Sequence, residues 1–232
     1  MKTMVMIPTY NERENIRDLI SEILLLSKDI SVLVVDDNSP DGTSQLVESS
    51  FDKNPRVELI CRKKEKGRGT AGIVGFQHAL QKGADYIIEM DSDYSHHPKY
   101  IPALLNEINN CDVVIGSRNI EGGKEVGRTG FREFLTWFAN LYIKFILGIN
   151  AKDCTSGYRC FRRQVLESIG LDKMVSKGPS IVEEILYACH LKKYRIKEIP
   201  IIFEDRVRGN STKNMGEYLD TAWKTLQFRF RM

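Results

Sequence analysis

The sequence predicts an α/β protein with a mainly parallel central sheet. Three observations point there. Five short β-branched runs occupy the first half, amphipathic stretches of helical spacing lie between them, and four of the five runs end in a short polar sequence. Met4 to Ile7 is the first buried strand and a helix over Asn15 to Leu26 follows it; Val32 to Val35 leads into a helix over Ser44 to Phe51. The buried run Val57 to Ile60, a helix over Thr70 to Lys82, the run Tyr86 to Met90, a helix over Pro98 to Ile108 and the run Val113 to Ile115 continue the alternation. Strands joined this way need right-handed crossovers and helices on both faces of the sheet. The second half is less regular, with a long helix near Gly130 to Leu147, a loop over Asp153 to Arg159, a helix near Ser180 to His190 and a strand over Ile196 to Phe203. No repeat, low-complexity tract or linker divides the chain, so one compact domain over residues 1–232 is expected.

Composition narrows the function classes. With 42% hydrophobic and 28% charged residues the chain is neither disordered nor collagen-like. Its five cysteines form no CxxC pair and no regular spacing, which points to reduced, mostly buried thiols rather than a disulfide or zinc framework. A net charge of +3 is too small to mark a nucleic-acid partner. Met1 to Thr9 is too short for a signal peptide, and the apolar stretch Phe131 to Ile149 is broken by Arg132, Glu133, Asn140 and Lys144, so it fails as a membrane span. A soluble protein on the cytosolic side is the expectation.

Ligands of parallel sheets bind where the strands end. There the chain reads Pro8-Thr9-Tyr10-Asn11-Glu12, Asp36-Asp37-Asn38-Ser39-Pro40-Asp41-Gly42-Thr43, Asp91-Ser92-Asp93 and Gly116-Ser117-Arg118, four sequences expected to share one rim. Two motifs elsewhere compete with them. Gly67-Arg68-Gly69-Thr70-Ala71-Gly72 matches the dinucleotide fingerprint, the basis of an alternative reading as an NAD(P)-dependent oxidoreductase, but it does not follow the first strand as that site requires. Asp37 to Glu48 imitates a calcium loop, yet a strand rather than a helix leads into it, and an Asx turn capping the next helix explains the same residues. His96-His97 lacks metal-ligand spacing and reads as a turn or supporting pair.

Asp91 and Asp93 put two carboxylates at the end of an apolar strand, where like charges need a hydrogen-bonded turn or a cation between them. Mg²⁺ takes only one or two protein carboxylates when substrate phosphates complete its shell. With the acidic Asp36-Asp37 turn and the Pro8 to Glu12 loop on the same rim, the pattern fits a nucleotide-diphosphate substrate.

The ordered set of PTYNE at Pro8 to Glu12, DDNSPDGT at Asp36 to Thr43, MDSDYSHHP at Met90 to Pro98, GSR at Gly116 to Arg118, DCTSGYR at Asp153 to Arg159 and FEDRVRGNS at Phe203 to Ser211 resembles the family-2 glycosyltransferases. Within them it is most similar to the dolichyl-phosphate (polyprenyl-monophosphate) mannosyltransferases. The resemblance implies a GT-A fold, a GDP-mannose donor, a polyprenyl or dolichyl phosphate acceptor, Mg²⁺ or Mn²⁺, and inversion at the anomeric carbon; a relative using UDP-glucose on the same lipid is the alternative within the class. It also implies roles. Pro8, Tyr10, Glu12, Val35 and Asp37 would hold the nucleoside, Asp91 and Asp93 the metal with Ser95 nearby, and Ser92, Arg118, Arg206 and Lys213 the rest of the donor. Some relatives carry Gln in place of Ser95, and Lys213 stands one residue later than the commoner Gly-x-Ser-Lys spacing.

On the helix after Gly130, Arg132, Thr136, Asn140 and Lys144 recur every four residues as one polar stripe in an otherwise apolar surface. The pattern alone leaves open whether this is a core helix with a solvated edge; by resemblance, Arg132 and Thr136 fall on an acceptor-phosphate motif that Arg118 completes, with the flanking apolar surface meeting the prenyl chain or bilayer. A phosphate monoester is largely dianionic at neutral pH, so the nucleophile needs no general base, and Asp91, Asp93, Arg118 and Arg132 would act by positioning and electrostatics. The late loop, Arg206 to Gly216, would close over the donor. A lipid acceptor leaves membrane access to the Phe131 to Ile149 helix, to the aromatic-basic ending Phe228-Arg229-Phe230-Arg231, or to a small membrane-embedded partner subunit. A peripheral enzyme is expected, on the endoplasmic reticulum of a eukaryote or the plasma membrane of a prokaryote.

Overall fold

A computed structural model describes residues 1–64, 66–127, 130–204 and 215–231, the side chains of 131, 132, 215 and 217–219 excepted. The expected donor-loop residues Arg206 and Lys213, and the side chain of Arg132, therefore lie outside the described set.

The first half follows the predicted alternation. Strand β1 (Thr3–Thr9) is followed by α1 (Ile16–Leu26), β2 (Ile30–Asp36), α2 (Thr43–Phe51), β3 (Val57–Cys61), α3 (Arg68–Gln81) and β4 (Tyr86–Glu89). A 3-10 turn at Pro98–Tyr100 then opens α4 (Ile101–Glu107), and β5 (Val113–Ser117) follows. Helix α1 shows why the pattern was readable: Ile16, Leu19, Ile20 and Ile23 are fully buried at spacings of three and four, and its opposite side faces solvent. The remaining elements are β6 (Lys124–Val126), α5 (Gly130–Leu147), β7 (Arg159–Arg162), α6 (Arg163–Ser168), α7 (Ile181–Leu191), β8 (Ile196–Pro200), β9 (Ile202–Glu204) and α8 (Met215–Arg231).

The main sheet has the order β3-β2-β1-β4-β7-β5-β8, and only β7 runs antiparallel to its neighbours. One set of buried residues, including Val5, Ile7, Val32, Val34 and Ile88, packs under α1, α2 and α4; the other, including Met4, Met6, Leu33, Val35 and Ile87, packs under α3, α6 and α7. Around Ile115 a third cluster joins α5, α7 and Phe228 of α8. Since β1, β2, β4 and β5 share one direction, their ends share one rim, and the order reverses between β1 and β4, which places a crevice between their loops.

Several expectations change. The Val57 to Ile60 run, read as buried, is the half-buried edge strand β3. The loop expected over Asp153 to Arg159 gives way at Arg159 to β7, whose antiparallel course brings its first residue to the rim, opposite Glu89 and Ile115. The single strand expected over Ile196 to Phe203 is broken after Pro200: Ile201 donates to the Ser117 carbonyl, and β9 pairs instead with β6. The aromatic-basic ending is the last part of α8 rather than a separate tail, with Phe228 buried against α5 and α7.

Candidate active site

The β1 and β2 loops are zipped together. Backbone N–H groups of Asn11, Glu12 and Arg13 donate to Ser39 Oγ (2.9 Å), Thr43 Oγ1 (3.1 Å) and Asp41 Oδ2 (3.1 Å). Asp36 is fully buried and accepts from Ser39 N, Ser39 Oγ and Ser44 Oγ, while Asp41 accepts from Thr43 N and Oγ1. The calcium-like sequence is thus an Asx turn capping α2. Asp37 is held by another element: its Oδ1 receives Nε of Arg62 at 2.7 Å and Nη2 of the same guanidinium, and its Oδ2 receives Gly67 N–H at 2.7 Å. Tyr10 stands half exposed above this corner with Lys66 Nζ 5.2 Å from its ring centre. Pro8 is half-buried at the end of β1, and the Glu12 carboxylate accepts from Asn15 Nδ2 at 2.9 Å. Val35 differs from its expected role. Its side chain lies in the core, so only its main chain faces the rim, the carbonyl accepting from Thr9 Oγ1 at 3.3 Å.

Gly67 and Gly69, which suggested a dinucleotide site, serve close packing. Gly67 has φ +131, and a Cβ on Gly69 would lie 2.3 Å from the Ser176 carbonyl oxygen. They let the start of α3 touch the loop before α7 and follow the edge strand β3, so the oxidoreductase reading loses its site.

Beyond β4 the chain turns sharply, with Tyr94 at φ +62. Ser95 is buried beneath this turn, and its N–H and Oγ both donate to Asp93 Oδ1, at 3.1 and 2.5 Å. Ser95 therefore orients Asp93, a task beyond the nearness to the metal expected of it. Ser92 is buried beside it. His96 supports the loop from below: it stacks on Tyr158 (5.0 Å between centroids), and its Nδ1 accepts the Asp91 N–H at 3.0 Å. Burial holds its pKa below the usual imidazole value, consistent with a neutral ring bearing its proton on Nε2.

Asp91 keeps a partly exposed carboxylate whose Oδ1 lies 2.9 Å from Arg68 Nη2. Arg68 Nη1 is 3.2 Å from Glu89 Oε1, and Glu89 is buried at the end of β4 opposite Arg159. Burial pushes the Glu89 carboxyl up, against the pull of the Arg68 and Arg159 charges. Arg159, fully buried, donates to the carbonyls of Cys154 and Val182. A charge network thus lies directly under the Asp91 loop. Its members Glu89, Arg68 and Arg159, like Arg62 beside Asp37, had no role in the sequence reading, although Glu89, a lone acid at the end of Tyr86-Ile87-Ile88, carried a signal.

Arg118 is held more firmly than expected. Its Nε and Nη2 meet Asp153 Oδ2 and Oδ1 at 2.7 and 2.6 Å, Nη2 also donates to Thr155 Oγ1 at 2.6 Å, and Nη1 lies 2.8 Å from Glu125 Oε1. Burial alone would raise the Asp153 carboxyl, but the Arg118 charge and hydrogen bonds outweigh it and hold Asp153 below the ordinary aspartate value. The free phosphate clamp expected of Arg118 is instead a buried ion pair that ties the β5 loop to the Asp153–Thr155 turn.

Of the two readings of helix α5, the core helix with a solvated polar edge does not hold. Thr136 and Asn140 face inward: Asn140 Oδ1 accepts Cys154 N–H at 2.6 Å, and its Nδ2 donates to Thr136 O and Thr155 Oγ1. Phe134, Trp137, Phe138, Leu141 and Phe145 face outward, each 50% to 84% exposed. Alongside α5, α8 adds exposed Trp223 and Phe230. Among the described residues no helix is long and apolar enough to cross a membrane.

Across residues 4–170 the chain matches the sequence pattern of the family described as Glycosyl transferase family 2. The chain belongs to that family. A Micrococcus luteus protein named undecaprenyl-phosphate mannosyltransferase is 38% identical to this family-2 glycosyltransferase over 216 residues, covering 93% of this chain and 89% of that one. The polyprenol monophosphomannose synthase of Mycolicibacterium smegmatis is 35% identical over 232 residues, 99% of this chain and 88% of its own length. The glucosyl-3-phosphoglycerate synthase of Mycobacterium tuberculosis, solved with Mn²⁺, uridine diphosphate and glucosyl-3-phosphoglycerate, has the same fold at TM-score 0.68 and 18% identity, over 98% of this chain and 78% of that one. The glycosyltransferase thus adopts the GT-A fold that its motifs implied.

Proposed function

We propose that this glycosyltransferase moves mannose from GDP-mannose to a polyprenyl phosphate, with inversion, giving a polyprenyl β-mannosyl phosphate and GDP. The observation that carries the reading is the orientation of α5. Its polar positions Thr136 and Asn140 turn toward the Arg118–Asp153–Thr155 turn at the rim, and its aromatic stripe turns away from the protein. A polar turn edged by a greasy helix suits an acceptor with a phosphate at one end and a prenyl chain at the other. The mannosyltransferase names of the two relatives at 35% and 38% identity support the same donor sugar and acceptor class.

Asp91 and Asp93 fit a divalent cation, Mg²⁺ or Mn²⁺. Both are hard oxygen donors on a rim loop, Asp93 is pre-oriented by Ser95, and two carboxylates suffice where substrate phosphates complete the shell. Bound there, the cation supplies charge neutralisation for the departing diphosphate. The chain's residues do the rest. The Asp37 corner, with Tyr10 and Lys66, receives the nucleoside; Arg132 and Thr136 orient the acceptor phosphate; Arg118 fixes the turn against which that phosphate rests. The phosphate monoester is its own nucleophile near neutral pH, so no side chain has to take its proton. Arg206 and Lys213, from the late loop, complete the donor phosphate site.

Access to the lipid follows from the same helix pair. The aromatic stripe of α5, with Trp223 and Phe230 of α8 and the cations Arg229 and Arg231, seats the protein on the bilayer surface. Transfer of labelled mannose from GDP-mannose to a short polyprenyl phosphate, with and without Mn²⁺, tests the reading. Metal-dependent product from GDP-mannose and none from UDP-glucose is the expected result; faster glucose transfer from UDP-glucose would overturn the donor assignment.

A further inference from the structure

The carboxylate best placed for a divalent cation already carries a cation of the protein's own. Arg68 reaches from the first residue of α3 between two acids, with Nη2 2.9 Å from Asp91 Oδ1 and Nη1 3.2 Å from buried Glu89. Its position is well determined. Gly67, just before it, is tied by its N–H to Asp37 and by its carbonyl to Arg62 Nη2 at 3.1 Å, and a Cβ on Gly157 would lie 2.4 Å from Arg68 Nη2, so a side chain there would push the guanidinium from this place. Glu89 anchors the buried side of the fork, and Asp91 holds the exposed side.

We infer that Arg68 is a positioning residue that makes metal binding at Asp91 conditional on the donor diphosphate. This rests on the proposed assignment of a divalent cation to Asp91 and Asp93. Without nucleotide, a dication approaching Asp91 meets a fixed positive charge within hydrogen-bond distance of the same carboxylate, and the two compete. The donor brings negative phosphate oxygens to the same rim, where they offset both cations and allow Asp91 to be shared or released by Arg68. By linkage, the diphosphate then tightens metal binding by the same factor by which the metal tightens diphosphate binding, and Arg68 enlarges that factor beyond what direct ligation by the phosphates gives. The benefit is an Asp91 site that stays neutralised in the empty enzyme without holding metal unproductively.

The test is a Mn²⁺ titration of the purified protein followed by the electron paramagnetic resonance signal of free Mn²⁺, with and without GDP. In the absence of GDP, Arg68→Met is expected to bind Mn²⁺ roughly tenfold more tightly than the unaltered protein, because the competing charge is gone. Arg68→Lys keeps the charge and is expected to remain weak. The tightening caused by GDP should be smaller in Arg68→Met than in the unaltered protein. Equal or weaker Mn²⁺ binding by folded Arg68→Met, or an undiminished GDP effect, overturns the inference. If loss of Arg68 leaves buried Glu89 uncompensated and unfolds the chain, Arg68→Met with Glu89→Gln removes both charges and is judged by the same criteria. Asp91→Ala separates the two ideas, since Mn²⁺ binding that survives it would sink the metal assignment rather than the role of Arg68.

Discussion

Arg118 meets both oxygens of Asp153 through Nε and Nη2, at 2.7 and 2.6 Å, while its backbone N–H donates to Asp153 Oδ2 at 2.9 Å. One carboxylate thereby joins the end of β5 to the turn that faces α5. Glu198 of β8 supports the arrangement by accepting the N–H groups of Lys152 and Asp153 at 2.8 and 2.9 Å.

Breaking this pair from either side should cost stability as well as activity. Removing one partner of a buried ion pair strands the other charge, and both Asp153→Asn and Arg118→Met are expected to lower the unfolding free energy by about 3–5 kcal/mol in urea titrations. A loss of acceptor affinity at unchanged stability in Arg118→Met would instead return Arg118 to the role of a free phosphate clamp.

The same pair predicts an acid-labile region. Because the folded pKa of Asp153 lies below its unfolded value, its contribution to stability is complete above about pH 4 and is lost as pH falls through the depressed folded value. Stability measured from pH 6 down to pH 2 should fall more steeply below about pH 4 in the unaltered protein than in Asp153→Asn.

Ser95 tests how far Asp93 depends on its support. Ser95→Ala removes the Oγ donor to Asp93 Oδ1 and leaves the backbone N–H bond in place. Partners that orient a metal-binding carboxylate commonly matter 10- to 100-fold, and a loss of about that size in Mn²⁺ affinity is expected with little change in thermal melting. An unchanged Mn²⁺ affinity would show that the turn backbone alone orients Asp93.

Gly69 and Gly178 form a matched pair of substitutions. A Cβ on Gly69 would run into the Ser176 carbonyl at 2.3 Å, whereas nothing lies within 4 Å of one on Gly178. Gly69→Ala should destabilise by about 1–3 kcal/mol, and Gly178→Ala should be neutral within about 0.5 kcal/mol, both read from denaturant midpoints.

Membrane seating is tested by flotation with liposomes containing anionic lipid. Phe145 is 84% exposed, and Phe145→Ser removes apolar area without disturbing the core. Each aromatic lost from the membrane face should weaken partitioning by about tenfold or more, at roughly 1.5–3 kcal/mol per buried ring. Arg229→Ala with Arg231→Ala should make the residual binding less sensitive to salt. Flotation that needs an added membrane protein would point to a membrane-embedded partner subunit instead of direct seating.

Much of the site was legible because it is local. Asp91 and Asp93 stand directly after an apolar strand, the Asp36 to Thr43 turn has a composition that only a turn satisfies, and the sheet's parallel direction follows from strands alternating with helices. Arg62, Arg68, Glu89 and Arg159 were not legible in the same way. Each is an ordinary charged residue with an ionic partner distant in sequence, as with Arg68 and Glu89 or Arg62 and Asp37. The bond from Ser95 to Asp93 was hidden for a related reason, since spacing places Ser95 near the metal loop but does not say which group its hydroxyl proton meets.

Helix α5 marks the boundary most clearly. By itself the sequence determined that a polar stripe and an apolar face share this helix, because a period of 3.6 residues sorts side chains by face. Which face turns inward was decided by the tertiary structure alone. Asn140 meets the Cys154 N–H and Thr155 across the Asp153 turn, partners more than ten residues away that no helical periodicity can announce and without which those buried polar groups would go unsatisfied.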